Sequence, residues 1–316
     1  MKILIIGGTY FLGKAFLEVC DGCGNEITVL NRGNRDVPGN EDGHIRVIHA
    51  DRQNKESLAR VSAQFDPAGY DCVVDFCAYE AGDVRKVLEA LAMGKSTVRQ
   101  YVFISTCDVY RRGTGTLLDE NAPLEERDFG GAEGAYICGK VALEKELRQC
   151  AEATGNDAEM RMHYTSVRPA FIYGPGNYAP REGIFFEWVS KAGQILFPED
   201  ADGTFQMIYV KDLARCIYAY LGNEKFYDHA VNACGEKIDY QRFAEALEEA
   251  VGQRIEKVMI PVADVLARGI PLPFPLTKAE SETYAGEEME KLGVEETSFT
   301  QGLRETYEWF KKQETE

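Results

Sequence analysis

Lys2-Ile3-Leu4-Ile5-Ile6-Gly7-Gly8-Thr9-Tyr10-Phe11-Leu12-Gly13 opens the chain with an apolar strand, a glycine-rich turn and the start of a helix. Glycines in such a turn let the backbone pass close to a bound anion. The N–H groups and dipole of the following helix N-terminus attract that anion. A dinucleotide pyrophosphate suits this layout, and Gly7, Thr9, Tyr10, Phe11, Leu12 and Gly13 are the positions that would surround it. With glycines at 7 and 13, a Gly-x-x-Gly-x-x-Gly spacing calls for glycine at position 10, which is tyrosine. A side chain is tolerated there provided that residue 10 already has helical dihedrals.

Beyond this turn, short β-branched runs recur at 2–6, 26–30, 45–50, 71–76, 101–105, 164–168 and 230–233. Helix-length amphipathic segments lie between them at 12–21, 54–64, 80–93 and 135–153. Strands alternating with helices imply right-handed crossovers and a mostly parallel sheet, the doubly wound α/β class. Runs such as Cys72-Val73-Val74-Asp75-Phe76 suit strands covered on both faces. After about residue 173 the rhythm breaks at the turn-rich Ile172-Tyr173-Gly174-Pro175-Gly176-Asn177. Helices are expected near 181–192, 211–222, 239–252 and 301–313, with an acidic loop at 199–203 and a stiff loop at Pro271, Pro273 and Pro275. The expected organisation is a nucleotide-binding Rossmann-type domain over 1–173 plus about 204–235, and a smaller, discontinuous substrate-binding domain over 174–203 and 236–316.

At 316 residues, 45% hydrophobic and 28% charged, the chain has a globular composition. Its net charge of −17 argues against a nucleic-acid partner, whose phosphate backbone calls for a basic stripe. No apolar run approaches the roughly 20 residues of a membrane span, and the first apolar stretch reads as a strand, not a signal peptide. Nine scattered cysteines suggest free thiols in a reducing cytoplasm. Cys20-Asp21-Gly22-Cys23 has metal or redox spacing but no second ligand pair, and reads as a helix end with its turn. The four histidines are far apart, so no metal site is expected.

Tyr136-Ile137-Cys138-Gly139-Lys140 places a phenol and an ammonium on one helix face. The positive charge favours the phenolate, so such a tyrosine can exchange a proton with a substrate hydroxyl while a nicotinamide exchanges hydride. The same spacing occurs at Tyr10/Lys14, in the glycine-rich turn, and at Tyr307/Lys311, in the terminal helix; both read as accidental. Upstream of the central pair, the buried-type strand Tyr101-Val102-Phe103-Ile104 ends in Ser105-Thr106. Ligands of open parallel sheets sit at the carboxyl ends of strands, where a hydroxyl could orient the reacting oxygen.

Taken in order, these stretches resemble the extended short-chain dehydrogenases/reductases of the NAD-dependent epimerase/dehydratase type. The resemblance is carried by Gly7 to Gly13, Phe103-Ile104-Ser105-Thr106 with Val109-Tyr110, Tyr136 to Lys140, Arg168-Pro169 with Tyr173-Gly174-Pro175-Gly176, and Tyr209-Val210-Lys211-Asp212-Leu213-Ala214. It implies Thr106 as the substrate-orienting hydroxyl and Tyr136 as the acid/base. Lys140 would bind the nicotinamide ribose and tune Tyr136. It also implies a small-molecule substrate, and family members often dimerise through the helix carrying the Tyr-x-x-x-Lys pair.

The second strand ends at Asn31-Arg32-Gly33, where an acidic residue would hydrogen-bond the adenosine ribose and repel a 2′-phosphate. Asn31 is neutral and Arg32, with Arg35 close behind, suits a phosphate, so the reading prefers NADP, with NAD as the alternative. Asp51 sits where the family contacts adenine with an acid, or is a plain turn aspartate. Two features depart from the family pattern. Tyr10 replaces glycine, as in a Gly-Gly-Thr-x-Phe-Leu-Gly subgroup that includes chloroplast stem-loop RNA-binding proteins. The arginine that often precedes Tyr209-Val210-Lys211-Asp212 to clamp a substrate diphosphate is missing from Thr204-Phe205-Gln206-Met207-Ile208. The expected function is an NAD(P)-dependent epimerase/dehydratase or reductase acting on a sugar-type or small hydroxyl/carbonyl substrate. The alternative is a non-catalytic NAD(P)-binding sensor, or an RNA-binding or interaction protein on the same fold.

Overall fold

A computed structural model describes residues 1–113, 117–155 and 161–315. The chain divides into two compact units. One comprises Met1–Arg111, Ala122–Pro169 and Leu213–Ala233; the other comprises Arg112–Asn121, Ala170–Asp212 and Cys234–Glu316.

The first unit is built on seven strands: β1 (Lys2–Ile6), β2 (Glu26–Asn31), β3 (Arg46–His49), β4 (Tyr70–Asp75), β5 (Val98–Ile104), β6 (His163–Pro169) and β7 (His229–Ala233). They lie in the order β7-β6-β5-β4-β1-β2-β3, and each neighbouring pair is parallel. The strand order reverses between β1 and β4, where open α/β sheets leave a crevice at their carboxyl ends. Four helices make the crossovers: α1 (Phe11–Asp21), α2 (Lys55–Val61), α3 (Asp83–Met93) and α4 (Gly131–Ala153). Successive residues of β1 are buried alike, Ile3, Leu4, Ile5 and Ile6 all being essentially inaccessible, as both-face coverage requires. One face packs Leu4, Ile6, Val73, Tyr101 and Phe103 against Leu58 of α2, Val84, Val87 and Leu91 of α3, and Leu143 and Leu147 of α4.

In the second unit, Thr204–Tyr209 is the middle strand of a three-stranded sheet, parallel to Phe171–Tyr173 and antiparallel to Lys237–Asp239. Gln194–Pro198 pairs with Glu256–Ile260, and Leu117–Leu118 with Thr283–Tyr284. Its core is aromatic: Phe274 stacks on Phe205 at 4.2 Å between centroids and touches Phe185 and Phe243.

All seven strands read from the sequence form the large sheet. The division of the chain differs from the sequence reading at Arg112–Asn121, at 170–173 and at 204–212, all of which lie in the second unit. Residues 204–209 do not join the nucleotide sheet, because their backbone hydrogen bonds go to 171–173 and 237–239. The boundary therefore falls between Asp212 and Leu213, inside the helix Val210–Tyr220.

Candidate active site

The turn between β1 and α1 is shaped by its glycines. Gly7 and Gly8 have φ of +92° and +79°, which side chains rarely adopt. A Cβ on Gly8 would lie 2.7 Å from Ile5 Cγ2, and one on Gly13 would lie 2.6 Å from the Gly8 Cα, so α1 can close onto β1 only with glycine at both positions. Tyr10 is not helical. It is the extended residue before α1, with φ −150° and ψ 148°. Helical dihedrals are therefore not what admits a side chain at position 10; tyrosine is accommodated because its φ is negative. The left-handed residue is the next one, Phe11, at φ 43°. No side chain caps α1, and no acidic residue stands in its first turn, so the positive end of its dipole carries no carboxylate of its own. Thr9 is half-buried, while Leu12 is buried against the core. The glycine cradle and the uncapped helix start fit a dinucleotide pyrophosphate.

At the tip of β2, Asn31 turns back on the protein. Its Oδ1 accepts from the Gly33 amide at 2.8 Å and lies 2.9 Å from His49 Nδ1; its buried Nδ2 has no partner. Arg32 and Arg35 are exposed, and the Arg35 guanidinium carbon lies 4.1 Å from the Tyr10 ring centroid. Asp51 is exposed and accepts from the Gln53 amide at 3.0 Å, holding the turn after β3.

The carboxyl ends of β4 and β5 meet α4 at Lys140. Its ammonium is buried and donates to the carbonyls of Ala78, 2.9 Å away, and Ile104, 2.8 Å away. Burial pushes its pKa down to about 8, against the opposing pull of Asp75 and Cys77. Tyr136 is half-buried one turn earlier, packed on Val109, Ile137 and Val141. The Lys140 nitrogen lies 5.8 Å from the Tyr136 ring centroid and 4.6 Å from that of Tyr79, and the two rings stand 6.4 Å apart. Gly139 makes this approach feasible: a Cβ there would sit 2.1 Å from the Tyr79 carbonyl oxygen.

The two hydroxyls that end β5 separate. Ser105 donates to Glu144 Oε1 at 2.6 Å, inside the protein. Thr106 starts a single 3-10 turn; its hydroxyl accepts from the Asp108 amide at 3.2 Å and is 3.0 Å from the Asp108 carboxylate. Glu144 is also held by Arg168 through Nε (2.9 Å) and Nη2 (2.5 Å), and Arg168 Nη1 donates to the Tyr110 hydroxyl at 2.9 Å. A second buried network lies beneath the cofactor turn. Arg52 donates to Asp75 Oδ1 at 2.5 Å and to the Asp83 carbonyl at 2.8 Å, and the Tyr101 hydroxyl donates to Asp75 Oδ2 at 2.6 Å.

Turn, Thr106, Tyr136 and Lys140 thus all belong to the first unit. Sequence reasoning did not single out Tyr79, Gly139, Glu144 or the Arg52–Asp75–Tyr101 network. Asp75 carried a signal, being a carboxylate inside an apolar strand; Gly139 and Tyr79 carried none. Among the described residues no group of three or more His, Cys, Asp or Glu side chains could hold a metal ion, and no helix is long and apolar enough to cross a membrane.

The model of the NAD dependent epimerase/dehydratase family matches residues 3–234. The chain belongs to the NAD-dependent epimerase/dehydratase family. Among curated relatives of the chain, the chloroplast stem-loop binding protein of 41 kDa b from Arabidopsis thaliana is 30% identical over 261 residues, 79% of this chain. The match spans 63% of that relative's length. Two solved structures share the fold over nearly the whole chain. The dTDP-glucose 4,6-dehydratase from Bacillus anthracis, in complex with NAD, has a TM-score of 0.73 at 19% identity, covering 100% of this chain and 98% of the other. The UDP-N-acetylglucosamine 4-epimerase from Methanobrevibacter ruminantium M1, in complex with UDP-N-acetylmuramic acid, has a TM-score of 0.76 at 16% identity, covering 99% and 98%.

Proposed function

We propose that this protein is an NAD(P)-dependent epimerase, dehydratase or reductase acting on a sugar-type or small hydroxyl/carbonyl substrate, with Tyr136 as its acid/base. The observation that carries this reading is the buried Lys140 ammonium, held by the Ala78 and Ile104 carbonyls at the strand ends, one helical turn from Tyr136. A cation fixed there favours the ionised form of a neighbouring phenol, so Tyr136 can take a proton from a substrate hydroxyl and return it. Thr106 orients the reacting oxygen. Gly7, Thr9, Tyr10, Phe11, Leu12 and Gly13 hold the pyrophosphate, and Lys140 holds the nicotinamide ribose. When bound, the nicotinamide supplies the hydride acceptor or donor. Sugar-nucleotide chemistry in the two structural relatives supports the substrate class, while the missing arginine before Tyr209 favours a substrate without a clamped diphosphate. The second unit carries substrate selection. NADP is preferred over NAD, because β2 ends in Asn31 and exposed Arg32 instead of a carboxylate.

Native mass spectrometry of freshly purified protein tests the cofactor, and turnover on a panel of sugars, nucleotide sugars and small carbonyls tests the reaction. Retained or titratable NADP with turnover is the expected result; tight binding without turnover on the whole panel would favour a sensor. A second reading follows from the chloroplast relative, whose name records stem-loop binding. The net charge of −17 weighs against it, and binding of structured RNA at physiological salt would reverse that judgement.

A further inference from the structure

Position 10 is where this chain departs from its family's glycine pattern, and the structure gives its side chain a partner on another element. Tyr10 immediately precedes α1, and its ring is 42% exposed. Arg35, from the loop that follows β2, lays its guanidinium over that ring, 4.1 Å from the centroid. Both residues are exposed, where stacking of this kind is weak and does not make the pair a structural necessity. The stack does, however, localise a planar, permanently charged fork of five donors beside the start of α1. Arg35 would otherwise be a mobile side chain on an exposed loop.

We infer that Tyr10 is a platform that holds Arg35 as a phosphate contact for the bound dinucleotide. Two phosphate sources on the same ligand fit that chemistry, the pyrophosphate at the α1 start and a 2′-phosphate at the tip of β2. The inference rests on the dinucleotide reading above and assigns to it two residues that act as a pair. Arg35 is the contact and Tyr10 the positioning residue.

Titration of the full-length chain, freed of co-purified nucleotide, with NADP and NAD by calorimetry tests the pair. Arg35→Ala is expected to weaken binding about tenfold and Tyr10→Leu about threefold, while Tyr10→Phe, which keeps the ring, stays close to the parent. The double variant should be no weaker than Arg35→Ala, because Tyr10 acts only through that contact. Raising salt should weaken the parent more steeply than the variants. Loss confined to NADP assigns the contact to the 2′-phosphate, and loss with both cofactors assigns it to the pyrophosphate. Unchanged affinity of Arg35→Ala for both, with the parent binding normally, overturns the inference and leaves the dinucleotide reading intact. A parent that binds neither cofactor overturns that reading itself. Far-UV circular dichroism checks folding, and exposure of both side chains leads us to expect no change.

Discussion

Lys140 concentrates the chemistry of the site into one titration. Burial holds its pKa near 8, below the ordinary lysine value, so the folded chain releases this proton more readily than the unfolded chain does. Between about pH 8 and the ordinary value the unfolded state binds more protons, and stability from this group rises with pH; below pH 8 the buried charge is a standing cost. Function runs the other way. The positive charge beside Tyr136 is lost as pH rises through about 8. Turnover should therefore fall on the alkaline side with an apparent transition near that value. A pH–rate profile checks this, and Lys140→Met should lower turnover and abolish the transition. A parent profile flat from pH 7 to 10 would remove Lys140 from the proton-transfer machinery. Glu144 and Arg168 are matched by two hydrogen bonds and by Ser105 and Tyr110, which fix the floor beneath Thr106.

Helix α4 shows how a single missing atom places Tyr136 and Lys140. On propensity alone, Gly139 weakens a helix interior, and Gly139→Ala would stabilise it by about 1 kcal/mol. In the fold, the new Cβ would lie 2.1 Å from the backbone oxygen of Tyr79, which a flexible side chain cannot relieve. The steric term wins. We expect Gly139→Ala to destabilise the protein by about 1–3 kcal/mol, measured by urea unfolding, and to lower turnover by moving Lys140 from the Ala78 carbonyl. A gain in stability would show that α4 does not approach the Tyr79 carbonyl as described. Elements of this kind were legible in the sequence to different depths. The parallel strands announced themselves because both faces are buried and their residues are uniformly apolar. The turn announced itself through Gly7 and Gly13. The approach of Gly139 to residue 79 is a contact between segments 60 residues apart and leaves no local pattern. Residues 204–209, expected in the nucleotide-binding domain, pair elsewhere for the same reason: local sequence does not say which partner a segment bonds.

At the scale of the molecule, the fold follows from the order of motifs, since strand ends separated by more than 100 residues converge at one edge of a parallel sheet. The second unit is less legible, because its short strands and aromatic core follow no comparable pattern. Its sheet is built from pairings such as Phe171–Tyr173 with Met207–Tyr209 that no periodicity foretells. Substrate identity therefore has to come from turnover. The acidic surface implied by a net charge of −17 bears on partners, not on catalysis.

The central claim is that Tyr136 moves a proton while a bound nicotinamide exchanges hydride, and the most direct test is Tyr136→Phe assayed beside the parent on any substrate the panel yields. Product formation should be followed by NMR, so that a recycled cofactor does not hide turnover. Loss of acid/base catalysis predicts turnover lower by about 10²–10⁴-fold, with NADP affinity unchanged. Turnover equal to that of the parent would contradict the assignment of Tyr136 and the mechanism built on it.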